Sequence, residues 1–109
     1  NEKGIRTMES ILQTDRDKCL ICGRQGELDT HHCLSGVSNR KNSENYGLKI
    51  YLCRKCHSDL HDRGKVFVDN WHYITENDIK AFAQKKWEET YGTREDFIRI
   101  FGKSFILED

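Results

Sequence analysis

Two short stretches decide how this chain is read: Cys19-Leu20-Ile21-Cys22, and Leu52-Cys53-Arg54-Lys55-Cys56-His57-Ser58-Asp59-Leu60-His61, with His31-His32 between them. Each stretch carries a Cys-x-x-Cys pair, and thirty residues separate Cys22 from Cys53. Tetrahedral zinc is commonly gripped by two such knuckles brought together from separate segments, and the intervening length suits a hairpin. The spacing favours a structural zinc on Cys19, Cys22, Cys53 and Cys56 over two redox dithiols or buried free cysteines. Cys33 is left over and reads as a small buried apolar residue. Such a framework belongs in a reducing compartment rather than in a secreted disulfide scaffold.

The histidines follow the cysteines. His57 and His61 are four apart, so on a helix both imidazoles share one face and can chelate one divalent metal. Cys56 lies about a hundred degrees round from His57, which lets one helix start hold zinc on one side and present histidines on another. His31 and His32 are adjacent, and neighbours in a regular strand point to opposite faces. Both reach one site only where the strand ends or bulges; one is then a metal ligand and the other a free base. An imidazole, with an ordinary pKa of about 6.5, suits proton abstraction from water. His72 lies outside the cluster and reads as structural.

Working outward, Ile5, Met8, Ile11 and Leu12 fall at helical intervals, predicting a short amphipathic helix over Glu2–Asp15. Gly23 and Gly26 suit the turns of a metal knuckle. Residues 28–34 and 48–52 read as strands, and the polar stretch 36–47 as a loop. From Cys56 the pattern turns helical and ends at Gly64. Residues 66–74 are mixed and aromatic, and read as a short extended stretch. Thr75-Glu-Asn-Asp78 and Thr93-Arg-Glu-Asp96 each look like an N-cap with its acid three positions on. Behind them, Ile79, Phe82, Ala83, Trp87 and Tyr91, then Phe97, Ile98 and Phe101, form helical stripes that read as core packing.

The 109 residues make one domain with room for one modest core. Charge is balanced, 18 basic against 18 acidic side chains, with pI near 7.1 and mean hydropathy −0.82. A uniformly basic coat for nucleic acid is therefore excluded, and an electrostatic grip needs local clustering. Residues 1–29 carry a net −1, residues 30–65 a net +4, and residues 66–109 a net −3. The positive, histidine-rich middle is what a phosphate-binding surface needs, though a lysine-rich solvated loop would look the same. No apolar run approaches the roughly 18–20 residues that span a bilayer. Residues 1–10 lack the apolar core of a secretory signal. The expectation is a soluble, cytoplasmic protein without a membrane partner.

Taken together, Cys19-x-x-Cys22, His31-His32, a polar loop with asparagines, and Leu52-Cys-Arg-Lys-Cys56-His57-x-x-x-His61 resemble an HNH endonuclease of the ββα-metal class. The runs His31-His-Cys-Leu-Ser-Gly36 and Ser43-Glu-Asn-Tyr-Gly-Leu-Lys-Ile-Tyr-Leu-Cys53 are similar to small phage-encoded HNH proteins. Ala83-Gln84 and Phe101-Gly102 also suit that group. The motif covers residues 19–61. The resemblance implies an α+β fold: an N-terminal helix over 1–18, a zinc-stabilised ββα-metal core over 19–64, and C-terminal helices over 75–109. It implies that His31, His57 and His61 bind a catalytic divalent cation (Mg²⁺, Mn²⁺, Ni²⁺ or Zn²⁺) and that His32 is the general base. A loop asparagine orients that base in the family. In the common register Leu48 stands in its place, so Asn45 is the choice, with Asn39 and Asn42 as alternatives.

The activity implied is metal-dependent hydrolysis of DNA phosphodiester bonds. One ion contacts the scissile phosphate while His32 activates water, and Arg40, Lys41, Lys49, Arg54 and Lys55 hold flanking phosphates. Two other readings stand beside it. One keeps the fold without the chemistry, as a zinc-stabilised module binding nucleic acid or a protein partner, such as a phage-borne inhibitor of a host system. The other is a plain zinc ribbon, which leaves the histidine pattern unexplained. Whether the chain acts alone or as a homodimer stays open.

Overall fold

The computed structural model describes residues 9–34 and 37–106. It is a small α+β protein with two short antiparallel sheets and four helices among the described residues. Strand β1, Asp29–His32, pairs with β2, Lys49–Leu52, placing Asp29 opposite Leu52 and His32 opposite Lys49. All four residues of β2 are buried rather than alternating in and out. The outer edge of β2 is covered by the segment preceding the first knuckle, which satisfies the edge's backbone groups. Ser10 Oγ donates to the Lys49 carbonyl, Gln13 Oε1 accepts from the Tyr51 amide at 2.8 Å, and the Leu20 amide donates to the Tyr51 carbonyl at 3.0 Å.

This edge cover replaces part of the expected N-terminal helix. Residues 1–8 of that helix lie outside the described residues, and its remainder, 9–18, forms bends and a turn. Ser10 and Gln13 explain the difference. Their side chains bond backbone groups locally and on β2, which competes with helical pairing. Gly47 lets the segment approach: its φ is +73°, and a Cβ there would meet the Glu9 carbonyl.

After β2, helix α2 spans Arg54–Arg63 and ends at Gly64. Its N-cap is Cys53, whose thiol accepts from the Cys56 amide. Strands β3, Lys65–Phe67, and β4, Tyr73–Thr75, form a hairpin where one extended stretch was expected. Asp69 pins its turn, accepting from the amides of Trp71 and His72 and from the His72 ring. Helix α3, Glu76–Thr90, and the last helix, Arg94–Phe101, both begin with the expected capping boxes, Thr75/Asp78 and Thr93/Asp96.

The core gathers Leu34, Leu48, Ile50, Leu52, Leu60, Ile79, Trp87, Phe97 and Phe101. Phe97 stacks on Phe101 at 4.4 Å, and Trp87 meets Phe97 edge-on at 5.5 Å. Such pairs contribute about 0.5–1.5 kcal/mol each beyond area burial. Phe82, Tyr91 and Ile98, expected in the same stripes, are at least 39% exposed. The two surface helices turn only part of each stripe inward.

The stretch expected to be a loop, 36–47, is mostly a helix, Val37–Tyr46. It is α1 in chain order, and the helix at Arg94–Phe101 is α4. Period reasoning missed α1 because its inward side is polar. Asn39 and Asn42 donate to the Phe101 and Ile100 carbonyls, which the last turn of α4 leaves without helical partners. Ser43 is fully buried, and Tyr46 packs edge-on against Trp87 and Tyr91.

Candidate metal centres

The two knuckles converge. Cys19, Cys22, Cys53 and Cys56 place their sulfurs within 4.8 Å of one another and could hold a metal ion such as zinc. The Cys22 and Cys53 sulfurs are 3.7 Å apart, close to the edge of about 3.8 Å for a sulfur tetrahedron at the usual zinc–sulfur length. The first knuckle is closed by the Gly23 amide on the Cys19 carbonyl, a turn that Gly23 makes at φ +79°. Amides of Cys22 and Cys56 point at the sulfurs of Cys19 and Cys53. Burial raises the Cys19 thiol, but the amides of Cys22, Cys53 and Ile21 outweigh it and bring it to about 7. Burial and the neighbouring thiols of Cys53 and Cys19 push Cys56 upward. Four sulfurs this close can all ionise only if a cation supplies the counter-charge. Cys33 is buried and its thiol is raised by burial.

The histidines form a second cluster. His31 on β1 meets His57 and His61 on α2, with ring centroids 5.4 and 6.0 Å away, and one nitrogen from each ring lies within 4.8 Å of the others. The four-residue spacing brings the α2 pair together at 4.8 Å. His57 Nδ1 donates to Asp29 Oδ2 at 3.0 Å, which leaves Nε2 for a metal. Asp29 also takes Arg54, and Arg54 and His57 together hold its carboxyl below the usual range. Burial, reinforced by His57, His61 and His32, lowers His31 to about 4, so its lone pair is available at neutral pH.

These three histidines and His32 line one cleft of about 360 Å³, with Arg40, Glu76 and Lys80 on its other walls. His32 is the last residue of β1, so the two adjacent rings share the cleft because the strand ends there. Its Nε2 meets Glu44 Oε2 at 2.6 Å, and Glu44 Oε1 accepts from Lys49 Nζ at 3.1 Å. Glu44 on α1 therefore stands where an asparagine was expected. Asn45 makes no hydrogen bond to His32, and Asn39 and Asn42 are spent on α4. Of the basic residues singled out from sequence, Arg40 lines the cleft and Lys41 is exposed. Arg54 pairs with Asp29, and Lys55 with Asp59. Lys49 is buried against Glu44 and does not present its ammonium to solvent.

Sequence reasoning passed over Asp29, Glu44, Glu76 and Lys80. Asp29 had a signal: it stands two residues before His31, on the same strand face. Glu44 depends on the phase of a helix inside a stretch that reads as a loop, and Lys80 on the phase of a helix beyond the motif.

Fold and clusters define the class: a small α+β protein with a four-cysteine cluster fit for zinc and a three-histidine cluster at a basic-walled cleft. Among the described residues no helix is long and apolar enough to cross a membrane. Compared with protein-family models, curated proteins and solved structures, the chain matches none.

Proposed function

We propose that this protein is a metal-dependent endonuclease of HNH type that hydrolyses DNA phosphodiester bonds. The cysteine cluster would hold structural zinc and make β1, β2 and α2 a ββα-metal unit. The observation that carries the reading is the shared cleft: three histidines able to chelate one ion, with a fourth, His32, beside them and outside the chelate. In this reading His31, His57 and His61 would hold a divalent cation, which would supply positive charge for the scissile phosphate and the leaving oxygen. Glu44 accepts from His32 Nε2, leaves Nδ1 as the basic nitrogen, and fixes the ring to take a proton from the attacking water. Arg40 and Lys80 supply positive walls for the phosphate. A pure binding module gives no reason for a carboxylate-held histidine beside a chelating triad.

A supercoiled-plasmid nicking assay with added Mg²⁺, Mn²⁺ or Ni²⁺ tests this. Nicking that EDTA stops, and that falls about 10²–10⁴-fold in a folded, zinc-loaded His32→Ala protein, is the expected outcome. No cleavage with any of these metals, in protein shown to be folded and zinc-loaded, would overturn the nuclease and leave the binding module.

A further inference from the structure

Hairpin β3–β4 leaves large apolar side chains in solvent. Phe67 is 53% exposed, Val68 47%, Tyr73 51% and Trp71 84%. The inner face does the packing, with Val66 buried and Ile74 half-buried against the core. Register puts Phe67 opposite Tyr73, and their rings meet edge-on at 5.4 Å. Lys65 Nζ stands 4.9 Å over Tyr73 and 5.6 Å over Phe67. Aromatic rings and a cation thus share one outward face.

That face runs into a cleft of about 240 Å³ that opens onto the cysteine cluster, three of whose four cysteines line it, with Arg24, Lys55, Arg63 and Lys65 as its cations and Asp59 as its carboxylate. Asp59 is taken by Lys55. Arg24, Arg63 and Lys65 form no ion pair with any described residue, and with Lys55 they outnumber Asp59 and the two negative charges of a four-thiolate zinc site, so the surface stays net positive beside exposed rings. Lys55, Asp59 and Arg63 lie along one side of α2, about 200° round from His57 and His61, so this surface is separate from the histidine cleft. A basic groove flanked by half-exposed rings is the chemistry that holds a nucleic-acid strand through its phosphates and its unpaired bases. In duplex DNA the base faces are already stacked on one another and closed to a protein ring.

We propose that this face binds single-stranded DNA, with bases stacking on Trp71, Phe67 and Tyr73 and phosphates on Arg24, Arg63 and Lys65. The choice of DNA rests on the proposed function, and it narrows that function's substrate to DNA with a single-stranded segment. The test is equilibrium binding of the zinc-loaded His32→Ala protein, without added catalytic metal, to an oligothymidylate, an abasic strand of equal length and a duplex. The oligothymidylate should quench Trp71 emission and bind at least about tenfold tighter than the abasic strand. Trp71→Ala, at a position exposed enough to leave the fold intact, should lose roughly tenfold for oligothymidylate and nothing for the abasic strand; Trp71→Phe should restore most of it. Arg63→Gln with Lys65→Gln should weaken both strands and flatten the salt dependence. Equal affinity for thymidylate and abasic strands, unchanged binding by Trp71→Ala, or tighter binding of oligouridylate would overturn the proposal. Plasmid nicking is scored separately, so loss of stacking with nicking retained rejects this surface alone, and the converse rejects the nuclease alone.

Discussion

Asp29 does two jobs with one carboxylate. It fixes the His57 ring through Nδ1 and holds Arg54 across the start of α2. Carboxylates behind metal-binding histidines set the tautomer and orientation, and their loss commonly costs 10–100-fold in affinity or activity. Asp29→Asn should therefore shift the metal-activation midpoint of nicking upward by about 10–100-fold while the bound zinc stays at its original stoichiometry. An unmoved midpoint would remove Asp29 from the site. At this scale the cysteines and the His57/His61 pair were legible, because metal chelation imposes short, regular spacings along the chain, whereas the choice of His31 over His32 came only from the resemblance. The partner of His32 was not legible. Which of Glu44 and Asn45 faces β1 depends on the phase of α1, and a stretch read as a loop has no phase.

Elements were legible where their ends carry their own signals. Thr75 and Thr93 bond the amides of Asp78 and Asp96, and those acids bond back. Replacing such a cap with alanine costs about 1 kcal/mol. Thr75→Ala should lower the unfolding free energy by about that amount in urea titration, with zinc content unchanged; an unshifted midpoint would mean the box contributes nothing. Helix α1 is the opposite case. Its contacts to the core side are an amide, a second amide, a hydroxyl and a phenol ring, so neither apolar period nor capping pattern announces it. It forms because α4 offers two carbonyls and Trp87 and Tyr91 offer ring surface, all far away in the chain.

For the whole molecule, a metal held by the four-cysteine cluster would be coupled to the fold. Cys53 is a knuckle residue, the N-cap of α2, and the junction between β2 and the helix that carries His57 and His61. A domain this small has one core, and a bound metal adds folding free energy directly. Cys53→Ala should lose zinc and unfold, seen as loss of the near-ultraviolet signal of Trp87, and nicking should vanish even with Mg²⁺ added. A soluble, native-like, zinc-free Cys53→Ala protein would break the coupling.

By itself the sequence determined the α+β class, the paired knuckles, the β1 and β2 strands, the two C-terminal helix starts that rest on local caps, and the histidines that gather. These are all encoded by neighbours a few residues apart. Only tertiary structure decided that residues 9–18 cover the edge of β2 instead of lying in a helix, that α1 is a helix, and that Glu44 and Asp29 hold His32 and His57. Each of these depends on partners tens of residues away. A side chain's partner is chosen by what the folded chain brings next to it, which no local period records.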